Sequence, residues 1–345
     1  MTVLRRINNI YSYEKLRINS ATLFIYSTMK KSAQLLSLLG IVGILLFQSC
    51  KKDSDAPPLP LTAAIFKSVQ DSVVSFAGLT QNATAWFWDF GDGQTSTEQA
   101  PVHIYAQGGY YITTLTATNS YGDTATTKVY LAIRPLSPYA CLTGDYTQAD
   151  YKGKTWKLTE QHSTAGDYFA NADAGLSVVS GTPNPLPDGF FDTNFAMGDI
   201  YKDTYTFFYD GSYKHDVKDD GAAFGGIVYQ NVLNGGADII NSNGKDYGLC
   251  IAKYTPENNA NFTYAAKENL TIPSVYGTNG TVTYSNVSTL NFSGTEFVGF
   301  RDYQRKVIIR KITDTSMQLV MFMAASPDYF PANTNALVLS FEVVK

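Results

Sequence analysis

Residues 86–97 read WFWDFGDGQTST, and how this stretch is interpreted decides the fold of the first half of the chain. The triplet Asp89-Phe90-Gly91 is the metal-presenting motif of protein kinases, but that chemistry also needs a glycine-rich phosphate loop, a strand lysine and an H-R-D loop. None of these occurs in the sequence. The neighbouring residues instead describe a strand followed by a reversal. AWFWDF is rich in aromatic residues, as strands are. In the GDG that follows, glycines take positive φ at no steric cost and an aspartate can bond its own backbone. Two carboxylates in such a turn, Asp89 and Asp92, make a poor calcium cage without further oxygen ligands. Downstream, YYITTLTATN alternates Tyr111, Thr113, Leu115 and Ala117 on one side with Ile112, Thr114, Thr116 and Thr118 on the other. NSYGDT is a further turn, and TATTKVYLAI a closing strand.

These residues resemble the PKD domain, an immunoglobulin-like β-sandwich. The matching positions are WDFGDG at 88–93, Ser96 and Thr97, then Pro101, His103 and Tyr105, and finally Gly109, Tyr111, Leu115, Ala117 and Asn119. The resemblance covers residues 60–133. It implies a spacer or interaction module, with Trp88 in the core rather than presented to a ligand.

Composition extends the all-β reading to the rest. Aromatic residues are 14% of the 345, with 24 Tyr and 20 Phe, and the 27 glycines are spread throughout. Apolar stripes at helical spacing are missing. Twenty-six Lys+Arg against 30 Asp+Glu give a net charge of −4, which supplies no positive field for a nucleic acid.

The N-terminus reads as a targeting segment. From Met29, Lys30 and Lys31 precede an apolar run that is too short for a membrane span and ends in LFQSC. This ending resembles the lipobox of bacterial lipoproteins, which implies a lipid on Cys50 and an outer-membrane protein; Asp53 and Asp55 just after it resemble the export signals of Bacteroidetes surface lipoproteins, which implies exposure at the cell surface. Residues 1–28 read as an upstream extension from a start codon placed too early, 29–49 as the signal peptide and 50–59 as a polar, proline-rich tether. With Cys50 acylated, Cys141 and Cys250 remain. They form either one disulfide, stabilising by roughly 4–5 kcal/mol in the chain-entropy model, or two buried thiols. With three histidines and no CxxC, neither a metal site nor a cofactor is expected.

Pro135 and Pro138 mark a linker at 134–138, and residues 139–345 are long enough for a core of their own. Strands are expected at 154–160, 203–209, 212–216, 288–293, 306–313, 316–323 and 336–344. YDGS at 209–212 and TDTS at 313–316 are tight hairpin connections. The expectation is a larger antiparallel β-sandwich, with a lipocalin-like barrel as the alternative. This strand pattern resembles the C-terminal domain that follows PKD modules in Bacteroidetes surface lipoproteins of polysaccharide-utilisation loci. The resemblance implies non-catalytic capture of a polysaccharide or oligosaccharide, alongside an outer-membrane transporter complex.

Two segments, 167–202 and 219–276, resist assignment to strands and read as long binding loops. Their candidate ligand-binding residues are Tyr168, Phe169, Phe190, Phe191, Asp199 and Tyr201: flat rings for sugar C–H faces and a carboxylate for hydroxyls. Such rings also serve to pin loops to a core. A glycosidase would need two carboxylates flanking the scissile bond. The few glutamates of this half (Glu160, Glu257, Glu268, Glu296, Glu342) are scattered, and no E-x-D-x-x-E, G-x-S-x-G or H-E-x-x-H occurs. The alternative function is a structural or adhesion protein contacting other proteins.

Overall fold

A computed structural model describes residues 60–345. The upstream extension, signal peptide, lipidated Cys50 and most of the tether lie outside the described residues. The protein is mostly β, an immunoglobulin-like sandwich followed by a larger antiparallel β-sandwich.

The first sandwich has seven strands: β1 (Thr62–Gln70), β2 (Val73–Gln81), β3 (Ala85–Asp89), β4 (Thr95–Ser96), β5 (Val102–Ile104), β6 (Gly109–Thr118) and β7 (Thr124–Ile133). They form one sheet ordered β1-β2-β5 and another ordered β4-β3-β6-β7. The alternation in β6 falls as its sequence implies, burying Thr113, Leu115 and Ala117. Phe76, Trp88, Phe90, Tyr105, Leu115 and Leu131 fill the space between the sheets. The GDG reversal is built from its own side chains. Asp89 Oδ1 accepts from the Gly91 amide at 2.9 Å, and Asp92 Oδ1 from the Gln94 amide at 3.0 Å. Asp92 Oδ2 lies 2.7 Å from His103 Nε2, and the His103 ring stacks on Phe90 at 4.0 Å. Both aspartates therefore hold a turn. Gly91 has φ +80°, and a Cβ there would sit 2.6 Å from the Ile112 carbonyl oxygen, so the position admits only glycine.

After β7 the chain enters α1 (Pro138–Thr143), capped by Ser137 Oγ at the Ala140 amide. Next come β8 (Lys154–Leu158), α2 (His162–Ala165), β9 (Tyr168–Asn171), α3 (Phe190–Phe195), β10 (Thr204–Phe207) and β11 (Tyr213–Asp216). β12 (Ala222–Gly226), α4 (Ile227–Asn234), β13 (Ile239–Asn241) and β14 (Leu249–Lys253) follow. The chain ends with β15 (Phe262–Pro273), β16 (Thr281–Phe292), β17 (Val307–Ile312), β18 (Ser316–Met323) and β19 (Asn335–Val343). The main antiparallel sheet runs β11-β10-β8-β19-β18-β17-β16-β15, with β9 also on β19, and a smaller sheet runs β12-β14-β13. The main sheet curls until its ends approach at the Ser212–Asn261 bridge. Its interior is filled by Trp156, Phe207, Phe292 and Phe341, so it is not a carrier barrel enclosing a ligand.

All seven expected strands of this half are present. The segments read as loops are largely regular structure as well: β9, α3, β12, α4, β13, β14 and β15 lie within them. β12 (AAFGG) and β14 (LCIAK) are short and buried on both faces, so they lack the alternation that marks a strand. Cys141 and Cys250 are free buried thiols, so the disulfide alternative is not realised. They lie in different elements, α1 and β14, and burial raises both thiols, that of Cys250 to about 12.

β18 and β19 are covered on both faces. Met317, Leu319 and Met321 face one core cluster with Leu337, Leu339 and Phe341, while Val320, Phe322, Ala336 and Val338 face the other. Two polar residues, Gln318 and Ser340, are paired across these central strands. Asp167 satisfies them. Its Oδ1 accepts from Ser340 Oγ at 2.6 Å and Gln318 Nε2 at 3.1 Å. Oδ2 accepts from the Ser340 amide at 3.0 Å and lies 2.7 Å from His162 Nδ1. His162 Nε2 is in turn 2.8 Å from the Tyr201 hydroxyl. Removing one member of such a network strands the others. We therefore expect Asp167→Ala to lower unfolding free energy by about 3–5 kcal/mol in urea titrations. Asp199→Ala, which removes only an exposed pair with Lys202, should leave the urea midpoint unchanged.

Candidate functional site

The aromatic residues predicted to bind a ligand are core residues. Phe169, Phe190, Phe191 and Tyr201 pack in the main cluster and Tyr168 in the second. Phe190 meets Phe169 at 5.6 Å and Phe195 at 5.5 Å; Phe191 meets Phe224 at 5.0 Å. The Tyr201 hydroxyl is bonded to His162 and accepts from the Phe191 amide at 3.3 Å. Each ring packs among buried residues, and none presents a face to solvent. Asp199 alone is exposed, paired with Lys202 at 2.6 Å. These six residues do not assemble into a binding surface.

A different site does assemble, where α4 meets the 295–305 segment. The segment FVGFRDYQR (297–305) leaves the core and crosses the end of β12, where the Arg301 amide donates to the Phe224 carbonyl and the Gly226 amide to the Arg301 carbonyl, both at 2.9 Å. The result is an open cleft of about 420 Å³, within the usual range for small-ligand sites. Val232 and Leu233 of α4, both more than half exposed, form one wall with Tyr229. Tyr303, 53% exposed, and Phe330 form the other, edge to face at 5.5 Å. Arg305 and Thr295 stand at the rim, and the Arg305 guanidinium donates to the Gly294 carbonyl. The Arg301 guanidinium lies over the rings of Tyr254, at 4.7 Å, and Tyr229, at 5.5 Å.

Asp302 also lines the cleft and is fully buried. Its Oδ1 accepts from the Tyr303 amide at 2.6 Å, while Oδ2 makes no hydrogen bond among the described residues. Gln230 Oε1 and Arg301 Nε, both close by, are also unpartnered. Burial pushes the Asp302 carboxyl up to about 7, against the opposing pull of the Tyr303 and Ala324 amides. A buried polar atom without a partner is uncommon and calls for a reason. Sequence reasoning missed this site because its parts are some 70 residues apart. The available signal was R-D-Y-Q-R following an apolar run, in a chain only 16% charged.

Residues 63–133 match the PKD domain family. This chain carries a PKD domain. The pre-pro-metalloprotease PrtV of Vibrio cholerae is 51% identical over 45 residues, which is 13% of this chain and 5% of that protein. The chain therefore spans about a twentieth of that relative's length. The crystal structure of the PKD1 domain of the same V. cholerae protease is 33% identical; the match covers 22% of this chain and 98% of that domain, with a TM-score of 0.21. A structure described as carbohydrate-binding modules of the β-sandwich superfamily aligns over 84% of this chain and 94% of its own, at 12% identity and a TM-score of 0.23. That likeness is too slight to bear on fold or ligand.

The raised Asp302 pKa has a stability consequence. The folded protein holds this proton more tightly than the unfolded chain, whose carboxyl titrates near the ordinary 3.8. Stability therefore falls as pH rises between the two values and stays reduced above about 7. Asp302→Asn should remove that loss. Relative to wild type, it should gain on the order of a few kcal/mol between pH 4 and pH 8 in paired urea titrations.

Proposed function

We propose that this is a non-catalytic, lipid-anchored protein of the outer-membrane surface that captures extracellular polysaccharide for an uptake system, with the PKD domain as a spacer. The observation that carries this reading is the α4 cleft. Exposed Tyr303 and half-buried Tyr229 and Phe330 supply flat apolar faces for sugar rings, with the Arg305 guanidinium at the rim. The lipid anchor rests on the lipobox-like LFQSC at 46–50, and the surface location on the acids Asp53 and Asp55 that follow it.

A specific feature favours a second reading, contact with another protein. On the outer face of the β1-β2-β5 sheet, Phe66, Val73, Leu79, Val102 and Ile104 are all exposed. The register sets Val73 opposite Ile104, and places Phe66 and Leu79 on adjoining strands. Contiguous apolar surface of this kind marks interaction faces.

Native affinity gels cast with laminarin, mixed-linkage glucan, xylan, mannan, pectin or starch separate the two. Capture predicts retardation in at least one gel, lost in Tyr303→Ala and kept in Phe66→Ser. Unretarded migration in all six would leave the protein-contact reading in place of the glycan one.

A further inference from the structure

We propose that the α4 cleft takes an acidic sugar, whose carboxylate or sulfate docks on the Arg305 guanidinium while its ring lies on Tyr303. This deepens the carbohydrate reading of the same cleft and rests on it.

The chain as a whole does not attract polyanions, since only 16% of its residues are charged and its net charge is −4. An acidic polymer therefore needs a local cation. The segment walling the cleft carries two, Arg301 and Arg305, and neither pairs with a carboxylate among the described residues. Arg305 lines the cleft at its rim and is partly exposed. Its bond to the Gly294 carbonyl uses one of the five N–H donors of a guanidinium. The rest of that planar fork suits an oxyanion, which it can hold by two parallel bonds. Arg301 stands behind this position. Its guanidinium covers Tyr254 and Tyr229, and Tyr229 lines the cleft, so a second positive charge lies one ring away.

Two acids lie nearby, and they do not cancel these cations. Asp302 is buried below the cleft, and that burial pushes its carboxyl up to about 7, so in mildly acid solution it is mostly uncharged. Glu257 stays ionised beside the rim, where its Oε1 accepts from the Thr295 amide and, at 2.8 Å, from the Thr295 hydroxyl. Two guanidiniums thus act against one fixed carboxylate. A neutral sugar gains no charge attraction from them and an ammonium sugar is repelled. An anionic sugar gains charge-assisted bonds, roughly twice as strong as neutral ones. The face for its ring is on the same segment, because exposed Tyr303, set edge to face against Phe330, lines the cleft together with Arg305.

The test is calorimetric titration of the full chain at pH 6 with soluble fragments matched in neutral and acidic form. Galactan is set against polygalacturonate and agarose against κ-carrageenan, with chitosan fragments as the cationic probe. The wild type is expected to bind the acidic member of at least one pair roughly tenfold or more tightly than its neutral partner, and chitosan weakly. Preference in the galacturonate pair assigns a carboxylate, and preference in the carrageenan pair a sulfate. Arg305→Gln should abolish the preference. Arg305→Lys, which keeps the charge and loses the fork, should retain part of it. Lys128→Gln, which removes an exposed cation of β7, should leave it whole. Should Arg305→Gln melt early, Arg305→Lys and the wild-type ratio decide. Neutral fragments or chitosan bound as tightly as the acidic ones overturn the assignment and leave the carbohydrate reading in place. So does a normally melting Arg305→Gln protein that keeps the preference, or an equal loss in Lys128→Gln. Absence of heat with every ligand defeats the carbohydrate reading itself, and this assignment falls with it.

Discussion

The buried carboxylate of Asp167 is the constraint from which much of the larger sandwich follows. A strand pair covered on both faces has no wet side on which to place polar residues, yet β18 and β19 carry Gln318 and Ser340 at paired positions. Left unpaired, these groups would oppose burial. Asp167 accepts from both side chains and from the Ser340 amide, and holds His162 through its other oxygen. With position 167 fixed against β19, the next residues can only continue as β9 along the same strand, pairing Tyr168 with Val338 and Phe169 with Leu337. His162 then fixes Tyr201. The intervening chain, with Phe190 and Phe191, is drawn over the sheet as a lid of the core.

That chain of consequences explains why the aromatic-rich loops misled. Rings beside aspartates on a glycine-rich segment have the composition of a sugar site and equally that of a segment clamped onto a sheet. What separates the two is whether a nearby polar group ties the segment down. Asp167 does so from a position that its sequence neighbourhood, TAGDYF, does not distinguish from a solvated turn. Replacing Phe190 or Phe191 would therefore test folding, not binding.

Elsewhere the sequence was legible wherever one local rule dominated. The GDG turn, the alternation of β6, and the YDGS and TDTS hairpins each depend on residues adjacent in the chain, and each lies where those residues imply. β12 and β14 were not legible because strands buried on both faces have no period. β15 was hidden differently: its AAKEN stretch carries charge on an exposed face and passes through register shifts at Ala265 and Glu268. The cleft was the least legible feature, because Gly226, Tyr229 and Asp302 acquire meaning only when the 297–305 segment is laid across the end of β12.

Two buried aspartates of this sandwich are held in opposite ways. Asp167 has every oxygen engaged, so any further partner would have to displace one it already holds. Asp302 is equally buried, but its Oδ2 lies against Gly226 without a hydrogen bond among the described residues, and the burial that raises its pKa lowers the stability of the fold as pH rises towards about 7. An asparagine at 302 would relieve that loss without touching the main core. Acid and glycine stand together, since a Cβ at Gly226 would lie 1.9 Å from Asp302 Oδ2, and the carboxyl fits only while position 226 has no side chain.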